Sequence, residues 1–184
     1  MSEAPASVVA RARRGDAEAF AALVRHYDPG LRSLAFRLLG DRDLMDDVLQ
    51  DAYLKAYRAL PRFKGRSRLG TWLYRIVYNA AVDELERGRR GTYVPLDEVV
   101  DPPDPRPGTA DAVATRNDLA EALARLAPED RATVLMVDAQ GFDYREAAEV
   151  LGVPEGTVAS RLNRARRTLR GVLAGGRAEG ASER

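Results

Sequence analysis

The sequence predicts an all-α protein of two small helical domains joined by an extended, acidic, proline-rich linker, with a helix-turn-helix in the second domain. Three observations lead there. Apolar residues recur at helical spacing in both halves of the chain. Glycines and prolines stand where they stop one helix and open the next. Between the halves, residues 91–112 hold Pro95, Pro102, Pro103, Pro105 and Pro107 among the acids Asp97, Glu98, Asp101, Asp104 and Asp111. That composition precludes a packed helix. The expected units are residues 1–90, a linker 91–112, a second domain 113–174 and a disordered tail 175–184.

The chain has 184 residues, enough for one sizeable domain or two small ones, and 45% hydrophobic content supplies a core. Lys plus Arg is 29 against 28 for Asp plus Glu. The molecule is nearly neutral, so attraction to a polyanion must come from local patches. There is no cysteine and one histidine, His26. Disulfides, thiolate zinc sites and a histidine metal cluster are therefore excluded, and no metal or cofactor is expected. No basic-then-apolar leader and no long apolar run occur, so a cytoplasmic protein without membrane contact is expected.

In chain order, residues 1–6 read as a loose end. Asp16 can cap a helix carrying Phe20, Leu23, Val24 and Tyr27, and Pro29 is expected to reopen a helix through Leu31, Leu34, Phe36, Leu38 and Leu39 to Gly40. From Asp43 the next helix buries Leu44, Val48, Leu49, Ala52, Tyr53, Ala56 and Leu60 and presents Asp46, Asp47, Gln50, Asp51 and Lys55, ending at Pro61. A basic loop, RFKGRSRLG, leads to a helix from Thr71 and Trp72 with Leu69, Leu73, Ile76, Val77, Ala80 and Leu85 as its apolar side. Arg75, Asn79 and Asp83 fall four apart and form one stripe, with Tyr74 and Tyr78 on the adjoining one. A cation, an amide and flat rings suit unstacked bases, which offer a face to stack on and an edge to hydrogen-bond. The alternative for Trp72, Tyr74 and Tyr78 is the core. Arg87, Arg89 and Arg90 add phosphate-binding charge.

Beyond the linker, Val113 to Leu126 has a helical apolar pattern, and Pro128, Glu129 and Asp130 open a helix with negative charge at its positive end. Gly141 closes it. Asp143 and Glu146 then have the spacing of a capping box, so a short helix starts at Tyr144 and buries Ala147, Ala148 and Leu151. Gly152 stops it, and Pro154 suits the first turn of the next helix. Two helices joined by that corner are a helix-turn-helix. The second helix carries Thr157, Ser160, Arg161, Asn163, Arg164, Arg166, Arg167 and Arg170, opposite Val158, Leu162, Ala165, Leu169 and Val172. Such a helix packs on one side and meets phosphates and base edges on the other. An arginine-rich amphipathic helix alone also suits a solvated face or a membrane surface; the capped corner favours DNA.

The motifs in their order resemble a family. Asp46 to Asp51 reads DDVLQD, Thr71 to Asn79 reads TWLYRIVYN and leads to Asp83 and a run of arginines, Leu126 to Arg131 reads LAPEDR, and Leu151 to Leu162 reads LGVPEGTVASRL, with Arg-Ala-Arg at 164–166. The set is similar to bacterial RNA polymerase sigma factors of the extracytoplasmic-function group, from about Asp16 to Leu173. Helix-turn-helix corners of this kind occur elsewhere; both motif sets in this order are specific.

The resemblance implies roles. The acidic helix would dock on core RNA polymerase through Asp47, Gln50, Asp51 and Leu54. The basic loop and the helix after it would recognise and melt the minus-ten promoter element through Lys64, Arg66, Arg68, Trp72, Arg75, Asn79, Asp83 and Arg87. The recognition helix would read the minus-35 element as duplex through Thr157, Ser160, Arg161, Arg164 and Arg167. The linker would thread toward the polymerase cleft, although water is its default surrounding. An anti-sigma factor is a further expected partner. No catalytic residues are expected: Asp46 and Asp47 diverge on their helix, and neither a nucleophile-base set nor a phosphate-cradling loop occurs. A stand-alone helix-turn-helix regulator would explain only the second half.

Overall fold

The computed structural model describes residues 3–90 and 118–182, and the regular structure of these residues is helical. The first half contains α1 (Ala6–Arg13), α2 (Ala17–Leu39), α3 (Arg42–Ala59) and α4 (Leu69–Arg90). In the second half residues 118–124 are helical, followed by α5 (Pro128–Val134), a π-helical turn (Leu135–Ala139), α6 (Tyr144–Leu151) and α7 (Glu155–Ser182). The expected linker, 91–112, and residues 113–117 lie outside the described residues.

Local signals place most of these boundaries. The Asp16 carboxylate accepts from the Ala19 backbone N–H at 3.0 Å, and Asp41 caps α3 in the same way through Leu44 at 2.9 Å. The Ala19 amide, followed by the Arg11 guanidinium, holds the Asp16 carboxyl below the usual carboxylate range. Gly40 ends α2 at φ 74°, a left-handed conformation that glycine adopts without strain. Pro61 sits in a short 3₁₀ turn, Leu60–Arg62, directly after α3.

Three expectations change. The break at Pro29 does not occur: α2 runs through it and continues through Gly30. Proline there removes one helix hydrogen bond and crowds the carbonyl of Arg25. Burial of Leu23 and Tyr27 before it and of Leu31, Leu34 and Phe36 after it, on one continuous face, outweighs that local cost. Second, part of the presumed loose N-terminus is tied down. Ala4 is buried and its N–H donates to the Tyr27 hydroxyl at 3.1 Å. Third, the backbone of α7 stays helical to Ser182, through most of the stretch expected to be a disordered tail.

Helices α1 to α4 pack around Leu23, Leu31, Leu34, Leu49, Leu60 and Val77, each at most 2% exposed. Tyr53 of α3 donates to Asp28 of α2 at 2.8 Å, and burial, then that carboxylate, pushes its hydroxyl pKa up. In the second half α5, α6 and α7 pack around Met136, Val150, Val158, Leu162 and Ala165. The halves also touch. Helix α4 lies against α6, and α2 against α5.

Arg131 joins the halves in an unusual way. It is 6% exposed, and its guanidinium donates to the carbonyls of Arg37 at 3.0 Å, Ala124 at 2.7 Å and Leu126 at 3.1 Å. Burial lowers its pKa. No carboxylate pairs with it among the described residues, and its Nε has no hydrogen-bond partner there.

Two stability outcomes follow from these local terms. Replacing Pro29 with Ala should raise unfolding free energy by about 2 kcal/mol in urea titration, because the helix regains a donor; a decrease would mean that the proline kink is required for packing. Replacing Asp143, the cap of α6, with Ala should cost about 1 kcal/mol in the same experiment.

Candidate nucleic-acid interface

The helix-turn-helix is built by its caps. The Asp143 carboxylate accepts from the Glu146 N–H at 2.8 Å while the Glu146 carboxylate accepts from the Asp143 N–H at 3.2 Å, closing the expected capping box. Gly152 turns the chain at φ 66°, and the Val153 N–H returns to the Ala148 carbonyl. Helix α7 then buries Val158, Leu162 and Ala165, each fully, against the rest of the half. Ser160, Asn163, Arg164, Arg167 and Arg170 are exposed, whereas Thr157 and Arg161 are half-buried.

Two of the arginines are already engaged. Arg164 donates from Nε and one terminal nitrogen to both carboxylate oxygens of Asp130, each at 2.5 Å. The hydrogen bond to Asp130 raises the Arg164 pKa. Asp130 is 4% exposed, so it is a fixed point rather than a solvated side chain. Arg166 holds Asp138 in the same two-pronged fashion, at 3.0 and 2.5 Å. A side-on pair uses one edge of the guanidinium and leaves the other terminal nitrogen's donors available. Arg161, Arg167 and Arg170 hold no ion pair among the described residues.

The stripe on α4 is present. Arg75, Asn79 and Asp83 are all exposed and succeed one another at one turn of helix. The adjoining aromatic stripe is not available to bases: Tyr74 is 2% and Tyr78 8% exposed, so the core reading holds for both. The Tyr74 hydroxyl donates to Gln140 Oε1 at 2.7 Å, and its ring meets Phe142 edge-on at 4.9 Å. Burial raises the pKa of both tyrosines. Trp72 lies between the two readings, half-buried and tilted against Phe63 at 5.1 Å.

In the basic loop Lys64 and Arg66 are exposed, and Gly65 takes the left-handed turn at φ 68°. Arg68 instead bonds Glu3 at 2.8 Å and Glu146 of the helix-turn-helix at 2.9 Å. Arg87, paired with Glu84 at 2.6 Å, lies about 18 Å along the helix from Arg75. It lines a different feature. Asp47, Gln50 and Asp51 flank an open groove of about 330 Å³ between α3 and α4, together with Leu44, Val48, Lys55, Ala80, Glu84 and Arg87. Leu54 stands in water nearby on α3, 48% exposed. Asp46, by contrast, is tied to Arg32.

Sequence reading missed Asp130 and Asp138 as partners of the recognition helix, and Gln140 as partner of Tyr74. Asp130 was legible only as favourable charge at a helix start. The pairs join residues 34, 28 and 66 positions apart, which no helical period marks.

Comparison with known proteins covers both halves. Residues 23–91 match the Sigma-70 region 2 family and residues 116–169 the Sigma-70, region 4 family. The ECF RNA polymerase sigma factor SigM of Mycobacterium tuberculosis is 39% identical over 159 residues, spanning 86% of this chain and 79% of that protein. The ECF RNA polymerase sigma-E factor of Escherichia coli is 35% identical over 173 residues, spanning 88% and 90%. Among solved structures, the sigma factor RpoE in complex with the anti-sigma factor NepR from Bartonella quintana matches with a TM-score of 0.71 at 29% identity, over 82% of this chain and 94% of that one. CnrH, solved in complex with the cytosolic domain of CnrY, matches at 0.67 and 26% identity, over 92% and 96%.

Proposed function

The chain belongs to the extracytoplasmic-function sigma factors of the sigma-70 family, and from that premise we propose how its surfaces divide the work of starting transcription. Its partners are core RNA polymerase and promoter DNA. Residues 1–90 act as one gripping unit and 113–174 as the other, with 91–112 between them. The protein itself catalyses nothing; the polymerase performs nucleotidyl transfer. It works in the cytoplasm, and among the described residues no helix is long and apolar enough to cross a membrane.

The acidic groove of α3 receives a basic, helical element of the polymerase. Asp47, Gln50 and Asp51 supply charge and acceptors there, and exposed Leu54 supplies an apolar contact. The minus-ten element is engaged by the open stripe on α4. With Tyr74 and Tyr78 buried, capture of an unpaired base falls to Arg75, Asn79 and Asp83, with Trp72 at the edge and Lys64, Arg66 and Arg68 meeting phosphates. Arg87 lies in the groove and assists docking as much as DNA binding. In the second unit Thr157, Ser160, Arg161, Arg164 and Arg167 read the minus-35 duplex, and Asp130 holds the Arg164 guanidinium in one orientation toward the groove of DNA.

The observation that carries this reading is the presence, in one chain, of an exposed acidic groove, an open Arg-Asn-Asp stripe and a capped helix-turn-helix. A stand-alone regulator has use for the third alone. Each unit contacts few phosphates, so the free chain should bind promoter DNA poorly, and docking on polymerase makes the second contact intramolecular. An anti-sigma protein restrains it, as a partner protein holds each of the two solved relatives.

Run-off transcription from a library of genomic fragments, with core polymerase with and without this protein, tests the proposal. Transcripts appearing only with the protein are expected; silence from an active core would defeat it. On a promoter found in this way, Arg164→Ala should reduce use of the upstream element about tenfold or more, the size of one lost bidentate base contact. Asn79→Ala should leave upstream binding intact and impair opening, read by permanganate footprinting of unpaired thymines. Unchanged upstream preference or unchanged opening would remove the respective residue from its site.

A further inference from the structure

The segment before α1, expected from its sequence to be a loose end, is fastened against α2 and the basic loop. We propose that Glu3, held by Tyr27, is a positioning residue: it fixes the guanidinium of Arg68 so that the far terminal nitrogen meets a phosphate of the minus-ten strand. The inference rests on the phosphate-binding role proposed above for Arg68.

The fastening begins on α2. Tyr27 is 3% exposed, and its hydroxyl accepts the Ala4 N–H at 3.1 Å across 23 positions of sequence. Ala4 is itself buried, so losing this bond would leave a donor unsatisfied out of water. Pinning Ala4 removes backbone freedom from its neighbour Glu3. Burial raises the Tyr27 pKa and the nearby Glu3 carboxylate raises it further, so the phenol stays protonated at neutral pH and donates to that carboxylate.

Glu3 in turn receives Arg68. The Arg68 Nε–H donates to Glu3 Oε1 at 2.8 Å, joining residues 65 positions apart. Glu146 accepts from Arg68 Nη1 at 2.9 Å. The two acids stand on different sides of the guanidinium, because Nη1 does not share the edge that carries Nε–H. They also differ in origin: Glu146 belongs to the second half, whereas Glu3, Tyr27 and Arg68 all belong to the first. A phosphate that reaches the loop takes the place of the Glu146 carboxylate at Nη1 while Glu3 keeps Nε. With 45% of its side chain exposed, Arg68 would otherwise have the rotamer freedom of a surface arginine, which a phosphate contact would have to remove.

Charge and orientation make opposite predictions for Glu3. A carboxylate beside a phosphate site repels the strand, so on charge alone its removal would tighten binding. Orientation requires that removal weaken it. The test uses holoenzyme assembled with core polymerase and measures, by fluorescence anisotropy, affinity for the single-stranded non-template minus-ten segment of a promoter recovered by run-off transcription. Parent, Glu3→Ala, Glu3→Gln, Arg68→Ala and the double variant Glu3→Ala with Arg68→Ala are compared. Glu3→Ala should weaken binding by about threefold to tenfold. Glu3→Gln should stay within about twofold of the parent, because its amide oxygen still accepts from Nε–H. In the Arg68→Ala background Glu3→Ala should change nothing, the mark of a residue that acts through another. Unchanged or tighter binding by Glu3→Ala, a Glu3→Gln defect as large as that of Glu3→Ala, or an equal Glu3→Ala defect without Arg68 would each overturn the inference. A lost phosphate contact lowers the log-log salt slope by about 0.7 for a single strand. Arg68→Ala with parental affinity and parental slope would therefore defeat the phosphate role of Arg68 and this inference with it, whereas an Arg68 effect without a Glu3 effect defeats this inference alone.

Discussion

Helix α4 must bury Tyr74 while keeping the neighbouring Arg75 in water, and this division of its surface governs much of the arrangement. Successive residues on a helix point about 100° apart, so a helix with three packed sides retains only a narrow open strip. One side of α4 packs on α2 and one on α3, and the side bearing Tyr74 and Tyr78 packs toward the second half. What remains is the line of Arg75, Asn79 and Asp83. The open strip is polar because the apolar and aromatic positions are all committed elsewhere.

Charge is divided in a comparable way. A count of arginines on α7 suggests a uniformly cationic surface, but Asp130 and Asp138 neutralise Arg164 and Arg166 from the preceding segment. The pairing trades indiscriminate attraction for orientation: a guanidinium fixed along one edge presents its other edge in one direction. Arg161, Arg167 and Arg170 retain their charge without such a partner among the described residues. In a chain whose charges nearly cancel, the proposed steering toward DNA would rest on these few positions and on the basic loop.

The acidic groove lies between α3 and α4, and its Arg87 belongs to the helix that carries the exposed Arg75-Asn79-Asp83 stripe. Polymerase docking and minus-ten contact are thus proposed for two sides of one rigid element. A protein seated in the groove would hold α4 and fix the direction of Arg75 and Asn79, which is how docking can prepare a base-binding surface without a separate conformational signal.

Local chemistry was legible in the sequence because its signals lie within one or two turns. The Asp143-Glu146 box, the cap Asp16, the helix stops at Gly40 and Gly152, the exposed Arg75-Asn79-Asp83 stripe and the acidic residues of α3 all stand where spacing put them. The ordered motif sets identified the family for the same reason. Pro29 and the tyrosines show where that reading ends. A proline breaks a helix by local rules, and only the burial of one face along all of α2 overrides it. Tyr74 is equally suited to stack on a base or to fill a core, and what decided between them was Gln140 and Phe142, 66 and 68 residues further on. Helical periodicity determines which residues share a face; what covers that face depends on contacts between distant segments, and only the tertiary structure brings those together.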